Sequence, residues 1–292
     1  MSVDSPRYQI KAHLGSGRAG CVYLADDLQL GRVVSLRKFQ QPAGVDGAAW
    51  SEQVLRVLRS LAEIQHSNVQ AVYDVGVDQD GPFSVSAHID GRSVVDMLSR
   101  RKITVAEVRN LSMQVLEALE EVQQHGFFHY SLGLTSLMVT PSPSGNTQYI
   151  LRDLGYRRLM QLCNPSSTIQ DITDPAFLAP EVYSGNPQGV ISTFFMLGQL
   201  CYTLLAGRHP LASLPMDVAH AKHCVGEIPH LRNVRGDIPE VFLKWLYKMM
   251  SPHHNGRPQS VSEALALLPK LEELRDVPVR IKSPTPMSVL HD

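Results

Sequence analysis

The chain has 292 residues, 43% hydrophobic and 19% charged, which is ordinary for a folded protein and long enough for one large domain or two lobes with separate cores. Its net charge of −1 creates no global field that would recruit nucleic acid or a membrane surface. Cys21, Cys163, Cys201 and Cys224 lie far apart, so neither a C-x-x-C metal site nor a disulfide framework is expected, and a reducing, cytoplasmic setting is the simpler expectation.

The opening "MSVDSPRYQI" lacks the basic and apolar regions of a signal peptide. Residues 8–40 alternate as strands, "YQIKAHLG", "CVYLADD" and "GRVVSLRKF", with the glycines of "GSGRAG" between the first two. Trp50, Val54, Leu58 and Leu61 recur at helical spacing and predict an amphipathic helix over 50–65. Two more strands, "NVQAVYDVGVD" and "PFSVSAHI", turn at "QDG". Five strands and one helix are therefore expected by residue 90.

Beyond that point the chain reads as helical. Thr104 and Glu107 form a capping box ahead of a stripe at Val108, Leu111, Val115, Ala118 and Val122. Short strands are expected to flank 137–152. Helices follow at 190–206, about 215–225, 238–250 and 260–273, the last opened by a second capping box, Ser260 to Glu263. The run "VISTFFMLGQLCYTLLAG", 190–207, carries no charge, but its Ser192, Thr193, Gln199 and Thr203 favour a buried core helix over a membrane span. The expected organisation is a β-rich lobe at 1–90, a helical lobe at 91–273 and a Pro-rich tail or linker at 274–292, which makes the fold class α+β.

The glycine loop "GSGRAGCVYLA", 15–25, fits G-x-G-x-x-G-x-V and runs strand to strand, which argues against a dinucleotide fold. It resembles the phosphate-covering loop of protein kinases. Further landmarks follow in order: "VSLRK" at 34–38, "HSNVQAVYDVG" at 66–76, "HYSLGLTSLMV" at 129–139, "RDLGY" at 152–156, "DPAFLAPEV" at 174–182 and "NGRP" at 255–258. Over residues 8–270 the chain resembles the protein kinase superfamily, closest to bacterial serine/threonine kinases. The resemblance implies a two-lobed fold with a five-stranded antiparallel first lobe.

It also implies losses. Where kinases carry H-R-D-L-x-x-x-N, this chain keeps His129, has Tyr130 for the arginine and Ser131 for the catalytic aspartate. Gly133 stands for the lysine and Ser136 for the metal-binding asparagine. Arg37 stands for the strand lysine, with Lys38 beside it pointing to the other face. Val57 stands for the glutamate that pairs with that lysine; Glu52 and Glu63 lie on other faces of the helix. Asp153 retains the metal-binding position, and either holds a metal or serves loop hydrogen bonds. Thr193 replaces the aspartate that anchors the loop, and Asp174 replaces a threonine. The resemblance also assigns nucleotide contacts to Gly15, Gly17, Gly20, Val22, Ser35, Arg37, Ser86, His88 and Met138. It assigns scaffold roles to the pair Glu181–Arg257 and to a stack of Leu61, Val72, His129 and Leu154. Ser166, Ser167 and Thr168 are candidate phosphorylation sites.

The leading expectation is a kinase-fold binding or regulatory module without phosphotransfer, engaging a protein partner such as an active kinase or signalling component, with no nucleic acid. The alternative is a nucleotide-binding enzyme with weak or atypical transfer through Asp153 or Asp174. A third is a pocketless adaptor. No cofactor is required; ATP or another nucleotide is a candidate ligand, and Mg²⁺ is poorly supported.

Overall fold

A computed structural model describes residues 7–17, 19–142, 145–167 and 174–274. The first lobe is a five-stranded antiparallel sheet of β1 (Tyr8–Gly17), β2 (Gly20–Asp27), β3 (Arg32–Phe39), β4 (Val72–Asp78) and β5 (Gly81–Ala87), in the order β1-β2-β3-β5-β4. Gly20 closes the β1–β2 turn at φ +130°, and a Cβ there would stand 1.9 Å from the Lys38 carbonyl oxygen, so the turn requires glycine. Helix α1 (Gly47–Ala62) lies against the sheet, starting three residues before its expected bound. Asp46 caps it by accepting the Ala49 N–H at 2.8 Å, and Trp50, Val54, Val57, Leu58 and Leu61 are its buried face.

The second lobe begins with the short strand β6 (Arg92–Ser93) and two helices, α2 (Val94–Arg100) and α3 (Val105–Gln124). The strands β7 (Leu137–Pro141) and β8 (Thr147–Leu151) join β6 in a small sheet. Then come α4 (Tyr156–Cys163), a 3₁₀ turn at Pro175–Phe177, α5 (Pro180–Tyr183), α6 (Val190–Ala206), α7 (Met216–Val225), α8 (Leu231–Val234), α9 (Glu240–Met249) and α10 (Val261–Leu267). Helix α6 is apolar all round because every side of it is covered, from Val190 through Leu205. No helix among the described residues is long and apolar enough to cross a membrane.

Four helices were not foreseen, α2, α4 and the single turns α5 and α8, and the last one is shorter than expected. Pro269 follows Leu268, which is already extended, so α10 stops at Leu267 and only a 3₁₀ turn at Glu272–Leu274 comes after it. The Pro-rich tail from 275 onward lies outside the described residues.

The lobes are tied beside the cleft. Val69 and Leu151 form a parallel bridge, and Asn68 Nδ2 donates to the Tyr149 carbonyl at 2.8 Å and to Gln114 Oε1 at 2.7 Å. Helix α3, which presents Gln114, is started by the Thr104–Glu107 box: Thr104 Oγ1 accepts the Glu107 N–H at 3.2 Å, and Glu107 Oε2 accepts the Thr104 N–H at 2.9 Å. Thr104→Ala is expected to cost about 1 kcal/mol in urea unfolding at pH 7. An unchanged midpoint would mean that burial alone sets the start of α3.

Candidate functional site

Between the lobes lies a cleft of about 460 Å³. Gly15, Gly17, Gly20 and Val22 reach it from the β1–β2 hairpin, Ser35 and Arg37 from β3, Ser86 and His88 from the end of β5, and Met138 from β7. Ser131, Ser136 and Asp153 line it as well. Val57 and Gly133 do not. Val57 is buried with Leu61 in the cluster beneath α4, and Gly133 faces the Phe177 ring.

Alternation along β3 separates the adjacent cations. Lys38 Nζ pairs with Asp78 at 3.0 Å and Asp80 at 2.5 Å, away from the cleft, while Arg37 lines it. Arg37 Nη2 meets Asp153 Oδ1 at 2.5 Å, and Arg152 Nε lies 3.3 Å from Asp153 Oδ2. Both oxygens of the carboxylate are thus faced by guanidinium groups. Glu52, on the exposed side of α1, pairs with Arg59 at 3.2 Å instead, and Glu63 is exposed at the C-terminal end of the helix.

The loop at 129–139 is held by its own atoms. Ser136 Oγ accepts the Gly133 N–H at 2.9 Å and lies 2.8 Å from the Gly133 carbonyl, to which it donates. Its hydroxyl is used for loop closure. Arg152 N–H reaches the Ser136 carbonyl, and Arg152 Nε the Thr135 carbonyl, each at 2.9 Å. Buried His129 has Nε2 3.0 Å from the Arg152 carbonyl; burial depresses its pKa, so the neutral ring donates there. Thr193 adds no anchor: its buried Oγ1 has no hydrogen-bond partner among the described residues. Asp174 is exposed and its Oδ1 accepts the Ala176 N–H at 2.9 Å, capping the 3₁₀ turn.

The scaffold residues meet as follows. Leu61, Val72 and Leu154 share one apolar cluster, and His129 is buried in the loop at 129–139. Arg257 makes a two-pronged pair with Glu181, at 2.6 and 3.0 Å. Ser166 Oγ donates to Asn164 Oδ1 at 2.8 Å; Thr168 lies outside the described residues.

Sequence reasoning missed Tyr156. It lines the cleft, and its ring lies under Arg37, with the guanidinium carbon 5.1 Å from the centroid. The available signal was an aromatic residue directly after "RDLG". Two left-handed residues make the turn that aims it, Asp153 at φ 59° and Gly155 at φ 70°. A Cβ at Gly155 would also stand 2.9 Å from Leu61 Cδ1, so that position requires glycine.

A five-stranded lobe with a glycine turn, closed over a cleft against a helical lobe, defines a protein kinase-type domain. The chain belongs to the protein kinase domain family, whose model matches residues 8–267. It is 28% identical over 207 residues to the serine/threonine-protein kinase pkn2 of Myxococcus xanthus, covering 70% of this chain and 25% of that protein. It is 27% identical to a probable serine/threonine-protein kinase PknB of Corynebacterium glutamicum, covering 75% and 34%. The chain thus spans between a quarter and about a third of the length of these relatives. The kinase domain of Mycobacterium tuberculosis PknI has the same fold, with a TM-score of 0.68 at 19% identity over 90% of this chain and 95% of that one.

Proposed function

We propose that this chain is a pseudokinase, a kinase-fold module, lobed at 1–90 and 91–273, that binds or regulates a protein partner without transferring phosphate. The observation that carries the reading is the Arg37–Asp153 pair at 2.5 Å. Phosphoryl transfer needs a cation on the phosphates, a carboxylate on the metal and a second carboxylate to take the hydroxyl proton. Here the first two neutralise each other, and Ser131, a poor proton acceptor at neutral pH, stands for the third. The donor set does not suit Mg²⁺. Its one carboxylate is flanked by Arg37 and Arg152, and Ser136 is spent on Gly133; oxygen ligands in greater number would be required.

The test is transfer from ATP to a generic protein acceptor, with Mg²⁺ or Mn²⁺, compared with Asp153→Ala. No transfer above the variant is expected. Turnover that Asp153→Ala abolishes would reverse the reading and favour the alternative, an atypical nucleotide-dependent enzyme. That alternative is supported by the intact glycine loop and by the place of Asp153 in the cleft wall.

A further inference from the structure

Tyr156 is a wall shared by three spaces. It lines the cleft of about 460 Å³, a cavity of about 60 Å³ behind Ser86, and a pocket of about 350 Å³ beside the 126–131 loop. Within the cleft its hydroxyl lies against the glycine loop, since a Cβ at Gly17 would stand 3.1 Å from the phenol oxygen. The Ala19 backbone N–H interacts with that oxygen. Above the ring sits Arg37, already bonded to Asp153.

Kinase-type loops cover the phosphates of a bound nucleotide, and the strand cation meets them from below. In this chain the groups that would do so have partners of their own. The loop faces a phenol, and the cation faces a ring and a carboxylate. A polyphosphate would have to displace the phenol and open the Arg37–Asp153 pair. The phenol is also braced from behind. Tyr156 opens α4, whose Leu159, Met160 and Cys163 are buried in one cluster with Val57, Leu58 and Leu61 of α1. Trp50 Nε1 donates to the Leu162 carbonyl at 2.9 Å, fixing the far end of α4. Val57 is part of this brace, packed in the same cluster as Leu159, Met160 and Cys163.

Among the described residues nothing comparable fills the other end of the cleft, where Ser35, Ser86, His88 and Met138 stand. The remaining space is in the range of small-molecule pockets. We propose that Tyr156 is the specificity-determining residue of this cleft, setting it for a nucleoside or similar planar heteroaromatic ligand and against nucleoside polyphosphates. This inference rests on the non-catalytic reading of the cleft.

The test is calorimetric binding of adenosine and of ATP, with and without Mg²⁺, to the full chain and to Tyr156→Phe and Tyr156→Ala. The wild type is expected to bind ATP no tighter than adenosine, with no effect of Mg²⁺. Tyr156→Ala is expected to tighten ATP relative to adenosine by about tenfold or more, with Tyr156→Phe, which keeps the ring and the brace, gaining roughly threefold. Should Tyr156→Ala not fold, the Tyr156→Phe ratio decides. Three results would overturn the proposal: a wild type that already prefers ATP about tenfold, an unchanged ratio in the folded variants, or no binding of either ligand to any of the proteins. Phosphate transfer by the wild type would sink the non-catalytic reading, whereas the role of Tyr156 is judged by the affinity ratio alone.

Discussion

Arg257→Ala is expected to remove about 3–5 kcal/mol of stability, the usual cost of stripping one partner from a buried ion pair. Arg257 has a fully buried side chain, and every edge of its guanidinium is used. Two nitrogens hold Glu181, and the remaining donors reach the carbonyls of Ser251, Ile191 and Pro252 at 2.8, 3.2 and 3.0 Å. Phe195 lies beneath it, 4.8 Å from ring centroid to guanidinium carbon. One side chain thus joins the start of α5, the start of α6 and the loop after α9. Burial pushes the Glu181 carboxyl up, but Arg257 and Ser192 together outweigh it and hold its pKa below the ordinary value. Without Arg257 burial would dominate, so the deficit should shrink on acidification as Glu181 takes a proton.

The measurement is denaturant unfolding followed by Trp245, which is buried in α9 of the same lobe, in a Trp50→Phe background so that only that lobe reports. Arg257→Lys keeps the charge but loses the fork, and should recover only part of the loss. A deficit of under about 1 kcal/mol for Arg257→Ala would mean that the pair behaves like a surface bridge. Against a total stability of about 5–15 kcal/mol for a domain, the expected loss is a large fraction.

Much of this architecture was legible in the sequence because the signals were local. Strand alternation and "GSGRAG" located the first hairpin, and Trp50 to Leu61 located the face of α1. The end of α10 is also written locally, in Pro269, although the apolar pattern that follows the Ser260 capping box runs on past it. Helix α4 carried weaker local signals. Gly155 offers no side-chain cap, the helix is eight residues long, and its apolar positions find cover only on α1. The Ser93–Asp96 capping box of α2 was present but precedes only seven residues. The arrangement of the cleft was harder still to read. Residues 37 and 153 are 116 positions apart, and the same letters would equally suit an arginine awaiting phosphate and an aspartate awaiting metal. Only their distance decides between those states. Tyr156 was missed for the same reason, since its meaning comes from the backbone turn that aims it at Gly17 and Ala19.

Acidification from pH 6.5 to 5 is expected to cost about 3 kcal/mol of stability, roughly 1.6 kcal/mol from each of two buried histidines. Burial pushes His209 down to about 3 and His223 down to about 4, from an ordinary 6.5. Each neutral ring is fixed by its bonds. His209 Nδ1 accepts the Leu211 N–H at 3.1 Å, so its Nε2 carries the proton and donates to Gln199 Oε1 at 2.9 Å. His223 Nδ1 donates to the Leu178 carbonyl at 3.1 Å, leaving Nε2 buried without a partner among the described residues. The rings lie 6.1 Å apart, so protonating one opposes protonating the other. The folded pKa values are depressed, so the folded chain refuses protons that the unfolded chain takes up below 6.5. Stability from these groups is full above that pH and falls by about 1.4 kcal/mol per pH unit for each ring until its folded pKa is reached. Buried His129 shifts in the same direction and adds to the slope. Carboxylates held low, Glu181 below its ordinary value and Glu107 down at about 2, lose their contribution only at more acid pH, so the upper window belongs to the histidines. Denaturant unfolding at half-unit steps should show this slope. His209→Asn and His223→Asn, which keep a polar atom near the Nδ1 position, should each remove only its own ring's share, about 1.6 kcal/mol between pH 6.5 and 5. A flat profile in the wild type between pH 6.5 and 5 would mean that protons reach these rings without unfolding, and that the helical lobe opens around Phe177 and Leu178 while the rest of the fold stands.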